Sequence, residues 1–128
     1  MIAPVPEKYS TAVNNPLSKT TKIDHLLQIR EMRRRVEQSP ENELYRFSLA
    51  KAYFDAGNWT ECIEQLELAL SKKADWMAAV TLLARSHQAL GHVSEARNFY
   101  SRAIELATIQ GHETAREEIT AFMQSLGD

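Results

Sequence analysis

Apolar residues recur at helical spacing through the middle of this chain, in blocks separated by glycine turns. Leu44, Phe47, Leu49 to Ala52, Tyr53 and Phe54 form one stripe, Gly57-Asn58 interrupts it, and Ile63, Leu66, Ala69 and Leu70 restart the same period. The alternation then returns in register 34 residues later. Gly57 aligns with Gly91, Leu49-Ala50 with Leu83-Ala84, Glu61-Cys62 with Glu95-Ala96, Leu66 with Tyr100, and Ala69 with Ala103. A fixed period of this length signals a helical repeat. The spacing predicts helices near 43–56, 59–71, 75–90 and 93–109, with no sheet. Small residues at Ala50, Cys62 and Ala69, and again at Ala84, Ala96 and Ala103, let helix backbones approach closely. Leu49, Tyr53, Leu66, Leu83 and Tyr100 fill the space between them. Gly57 fits the residue after a helix end, where a positive φ is easiest without a Cβ. Asn58 then reads as the cap of the next helix, with Glu61 completing a capping box.

The 34-residue helix–turn–helix, with small residues at its eighth, twentieth and twenty-seventh places, resembles the tetratricopeptide repeat. In that frame the first repeat is 43–76 and the second 77–110. Arg46 stands where the family favours Trp, Ala74 where it favours Pro, and His87 where Tyr is usual; Val80 and Thr108 repeat the first two departures. The resemblance implies an all-α protein, a short right-handed α-solenoid of antiparallel helix pairs. It further implies protein–protein interaction through a concave groove lined by the first helix of each pair. In this family the second, fifth, ninth, twelfth and thirteenth places tend to face that groove. They hold Leu44, Phe47, Lys51, Phe54 and Asp55 in one repeat, and Ala78, Thr81, Arg85, Gln88 and Ala89 in the next. Some members clamp a chaperone's C-terminal carboxylate with Lys at the fifth place and Asn at the ninth; Phe47 and Lys51 do not match that clamp. The implied partner is instead a protein or peptide, with acidic character suggested by Lys51 and Arg85 at equivalent places. For Phe47 and Phe54, packing against the helix at 24–38 is the competing expectation.

The flanks extend the solenoid. Pro40 lies 34 residues before Ala74, where the repeat favours proline, so 24–38 reads as the second helix of a preceding half-repeat. Ile23, Leu26, Leu27, Ile29, Met32 and Val36 supply its apolar residues, and Ser39-Pro40 reads as the next helix start. After Gly111-His112, the stripe Ala115, Ile119, Phe122 and Leu126 predicts a capping helix over 112–126. This ending also resembles small bacterial tetratricopeptide proteins of unassigned function. The helical domain is thus expected at 23–128. Residues 1–22, with three prolines and two adjacent asparagines, read as a flexible tail without a secretory h-region. With no apolar run of membrane-spanning length, a soluble cytoplasmic chain is expected.

Charge narrows the partner class. The net charge of −2 gives no overall bias toward nucleic acid. Residues 1–38 nevertheless hold seven Lys/Arg against four Asp/Glu, while the remainder holds eight against thirteen. The excess is concentrated in Arg30 and Arg33-Arg34-Arg35. That run is either a solvated face paired with Glu31 and Glu37 or a second site for an acidic partner. No membrane or nucleic-acid partner is expected. His87 and His92, five apart, do not share a helix face, and no metal-ligand or nucleophile motif occurs, so neither enzyme chemistry nor a cofactor or metal is expected. Cys62, the lone cysteine, falls at a small buried place and reads as packing. Self-association as a homodimer is the alternative to a peptide groove, with Trp59, Trp76 and Phe122 as candidate interface residues.

Overall fold

The computed structural model describes residues 21–127. The expected tail lies outside them except for Thr21 and Lys22. Six helices make up the described part: α1 (Lys22–Gln38), α2 (Glu43–Asp55), α3 (Trp59–Lys72), α4 (Met77–Ala89), α5 (Val93–Gln110) and α6 (Glu113–Gln124). No strand is present among the described residues. α2 packs on α3 and α4 on α5 as antiparallel pairs, α1 covers one end and α6 the other, and α3 joins the pairs through α4.

The turns explain the pairing. Gly57 and Gly91 both sit at φ 80°, where a Cβ would be strained. At the first, the Asn58 N–H donates to Tyr53 O at 2.8 Å and the Gly57 N–H to Phe54 O at 3.0 Å. At the second, His92 donates to His87 O at 2.9 Å and Gly91 to Gln88 O at 3.0 Å. This double closure satisfies carbonyls at the helix end and turns the chain back on itself.

Two caps differ from expectation. α2 starts at Glu43, as the register predicts, but its cap is Asn42 and not Ser39, since Asn42 accepts from the Leu44 and Tyr45 amides at 2.9 and 3.2 Å. Ser39 instead ends α1, donating its N–H to Arg35 O. Asn58 precedes α3 as expected but makes no side-chain cap bond. Its backbone, at φ −90° and ψ 75°, lies outside the extended region that such caps use, and its backbone N–H donates to Tyr53 O, so Glu61 completes no capping box. At the N-terminal end, a capping box between Thr21 and Asp24 opens α1 at Lys22.

The core runs the length of the stack in two joined parts. Ile29, Leu49, Ala50, Cys62, Leu66, Leu82 and Leu83 build one, and Val80, Ala84, Ala96, Tyr100, Ala103 and Ile119 the other. Successive residues of α4 therefore serve both, while Leu70 and Phe99 bridge them. Ala50, Ala69, Ala84, Ala96 and Ala103 have no accessible surface, as close helix crossings require. Arg46, where the repeat favours Trp, reaches across to Gln65 Oε1 at 3.0 Å and so ties α2 to α3 by a hydrogen bond instead of a ring.

Candidate functional site: a groove between the first helices

A third step of the register continues the row of first helices, α2 and α4, into α6, with α4 in the middle. Lys51, Arg85 and Ile119 are spaced by 34, as are Phe54, Gln88 and Phe122. All three helices contribute to one open cavity of about 290 Å³. Phe47 and Lys51 come from α2, Met77, Ala78, Thr81, Leu82 and Arg85 from α4, and Ala115, Glu118, Ile119 and Phe122 from α6. The helix expected only to cap the stack thus forms the third wall. None of its residues is among the expected groove residues; Phe122 was a candidate only for a dimer interface.

Of the expected groove residues, Phe47, Lys51, Thr81 and Arg85 line this cavity, whereas Phe54, Asp55 and Gln88 do not. Phe47 stacks on Trp76, with ring centroids 4.7 Å apart, so the turn before α4 pins it. Phe54 meets Trp59 edge to face at 5.0 Å. Lys51 and Asp55, both exposed, pair across one helical turn at 3.7 Å, a separation at which a surface pair contributes little. The Thr81 hydroxyl donates to Met77 O at 2.8 Å within its own helix.

Arg85 occupies the centre. Its guanidinium carbon lies 4.8 Å from the centroid of Phe54 and 4.9 Å from that of Phe122. Two rings, one from each flanking first helix, hold a single cation. Gln88, one turn on, is committed elsewhere: Tyr100 Oη donates to its Oε1 at 2.6 Å, and its Nε2 donates to Ser125 Oγ at 3.2 Å. Burial pushes the Tyr100 hydroxyl above its ordinary pKa, with the nearby Arg85 charge opposing this.

The basic run lies apart, on α1. Arg34 donates to both Glu31 oxygens at 2.9 Å and Arg35 to Oε2 at 3.2 Å. These two hold the Glu31 carboxyl below its usual pKa. Arg33 donates to Tyr53 Oη at 3.0 Å. Two of the three arginines are thus paired with an acid on their own helix, and the open cavity of about 550 Å³ that Arg30, Arg33 and Arg34 help line shares no residue with the groove. The three aromatic residues expected at a dimer interface are all engaged internally: Trp59 with Phe54, Trp76 with Phe47, and Phe122 with Tyr100.

Cys62 is buried, its Sγ 3.3 Å from Ser86 Oγ, and burial raises its thiol pKa. The turn between α4 and α5 brings together what helix spacing kept apart. His87 Nδ1 and His92 Nδ1 lie 3.1 Å from each other, because His92 follows the Gly91 reversal. No cluster of three metal-ligating side chains occurs among the described residues. Nor is any described helix long and apolar enough to cross a membrane.

Antiparallel helix pairs stacked in a 34-residue register, with a groove along their first helices, define a tetratricopeptide-repeat protein. Residues 30–103 match the family model described as "ANAPC3: Anaphase-promoting complex, cyclosome, subunit 3", and the chain belongs to that family. It is similar to the Pseudomonas aeruginosa "TPR repeat-containing protein PA0015", at 28% identity over 100 residues, covering 78% of this chain and 95% of that one. Two solved structures share the fold. One is the first TPR of Spaghetti (RPAP3) bound to the HSP90 peptide SRMEEVD, with a TM-score of 0.71 at 19% identity over 91% of this chain and 89% of the other. The second is PcrH in complex with the chaperone binding region of PopD, with a TM-score of 0.75 at 13% identity over 98% and 96%.

Proposed function

We propose that this chain is a protein-interaction module that binds a partner segment in the groove between α2, α4 and α6. The observation that carries the reading is the shared cavity: Phe47, Met77, Ala78 and Ile119 give it apolar surface, and Lys51, Arg85 and Glu118 give it charge. Apolar contact supplies affinity and the few polar groups fix orientation. The RPAP3 domain is seen with an HSP90 peptide and PcrH with a region of PopD, which supports partner binding as the use of such a fold. In this reading the module is not an enzyme, and partners with acidic character suit the two groove cations. A homodimer through Trp59, Trp76 and Phe122 has less support, because each ring already has an internal partner.

The test fills the groove. Ala78 is exposed on its floor, so Ala78→Trp blocks the cavity without disturbing a buried contact. Affinity capture from the source cell, with bound proteins identified by mass spectrometry, is expected to lose its specific partners with this variant. The exposed change Glu64→Lys, on α3 and outside the groove, retains them. Circular dichroism is expected to be unchanged in both. If Ala78→Trp captures the same partners as wild type, the groove is not the binding site.

A further inference from the structure

We infer that Arg85 is the specificity residue of the groove, reading a single carboxylate that stands beside an apolar side chain in the bound segment. This rests on the groove being the binding site. The two groove cations are not equivalent. Lys51 has Asp55 at 3.7 Å, whereas Arg85 has no carboxylate within 4 Å and no hydrogen-bond acceptor among the described residues. A guanidinium has five N–H donors and no acceptor. The Arg85 guanidinium carbon lies over the Phe54 ring at 4.8 Å and over the Phe122 ring at 4.9 Å, contacts that use the charge but none of the N–H donors along the guanidinium edge. The acceptor that matches such an edge is a planar carboxylate, taken two bonds at a time.

The surroundings set the rest of the pattern. Arg85 is half-buried, so its charge is screened less than that of the exposed Lys51. Phe54 and Phe122 restrict its rotamers, which lowers the entropy lost on binding. Beside it, Phe47, Met77, Ala78 and Ile119 offer an apolar recess for a neighbouring side chain of the ligand. Glu118 lines the same cavity and is unpaired among the described residues. It repels a run of acids. The combination selects one carboxylate next to an apolar residue, not a polyacidic tract.

Selection of a random peptide library displayed on phage against the full chain tests this. Peptides that bind wild type but not Ala78→Trp are expected to carry one Asp or Glu at a fixed place beside an apolar residue, and selection on Arg85→Gln is expected to lose that preference. A synthetic peptide from the wild-type selection then closes the cycle. Its Asp→Asn form is expected to bind wild type roughly tenfold or more weakly, but to differ by less than about threefold from its parent on Arg85→Gln. The Asp→Asn comparison on wild type stands alone if Arg85→Gln fails to fold. Groove-dependent peptides without an acid preference, or with the same preference on Arg85→Gln, overturn the role of Arg85 and leave the groove reading intact. Peptides indifferent to Ala78→Trp, or no selected peptide, overturn both.

Discussion

At Ala84 and Ala103 the Cβ is the largest group that the helix crossings admit, since neither residue retains accessible surface. Enlarging either forces neighbouring helices apart or drives side chains off their rotamers. Ala84→Leu and Ala103→Leu are each expected to destabilise the fold by about 1–3 kcal/mol, read as a shift of the urea midpoint without loss of helical content. Either variant as stable as wild type would break the assigned register. These positions were legible because a 34-residue repeat carries small residues in step. Cys62 was legible for the same reason, but its contact with Ser86 was not, since Ser86 is a polar residue with no accessible surface on a different helix. Burial raises the thiol pKa and also blocks access to it. Cys62 is therefore expected to react with a disulfide probe only as fast as the protein opens, and to speed up in step with unfolding as urea rises. Fast labelling of the native protein would contradict its burial.

Among the elements, α6 shows what a repeat pattern conceals. The stripe of Ala115, Ile119 and Phe122 gave the helix, but its apolar face reads equally well as a cap or as a groove wall. Only the contacts of Phe122 with Arg85 and of Ile119 with the second core part distinguish them. The register placed the α2 start, but the cap was hidden: Ser39-Pro40 is a plausible local signal, and Asn42 wins by reaching two amides at once. The pairing of His87 with His92 was hidden by a turn, since spacing rules apply within a helix and not across Gly91. Its consequence is a pH dependence. Burial first, and His92 second, lower the pKa of His87 from its ordinary 6.5, while Glu95 and Glu67 oppose this. The unfolded chain then binds a proton that the folded chain resists, so stability is full above the ordinary value and falls as pH drops below it. Between pH 7.5 and 5.5 the melting temperature of wild type is expected to decline more than that of His87→Phe, which retains a ring to stack on Phe99. This window lies above the range in which Glu31 and Glu41, whose pKa values are also lowered, begin to titrate. Equal declines would show that His87 does not sense the proton.

Across the whole molecule, stability follows from how the core is divided. In a solenoid each repeat contacts only the repeats beside it, so the interior shares more interfaces than the ends. Here α4 carries Ala79, Leu82 and Leu83 into one core part and Val80 and Ala84 into the other. α1 contributes only Ile29 and Val36 as buried residues, and α6 only Ile119. Ile23, Leu26 and Leu27 remain 66%, 58% and 56% exposed on α1, so their apolar surface adds little to holding that helix in place. Local opening is therefore expected to begin at both ends and to reach the centre last. Native-state hydrogen exchange is expected to show the slowest amides in α4 and in the facing turns of α3 and α5, with α1 and α6 exchanging faster through partial openings. The groove depends on both α4 and α6, so its third wall is drawn from the less stable end. A ligand that contacts Phe122 or Ile119 must also hold α6 in place, and its binding should slow exchange in α6 more than in α1. That difference separates a groove ligand from one bound to the arginine face of α1, which would protect α1 instead. Amides of α1 or α6 exchanging as slowly as those of α4 in the free protein would show a single cooperative unit and remove the basis for this gradient.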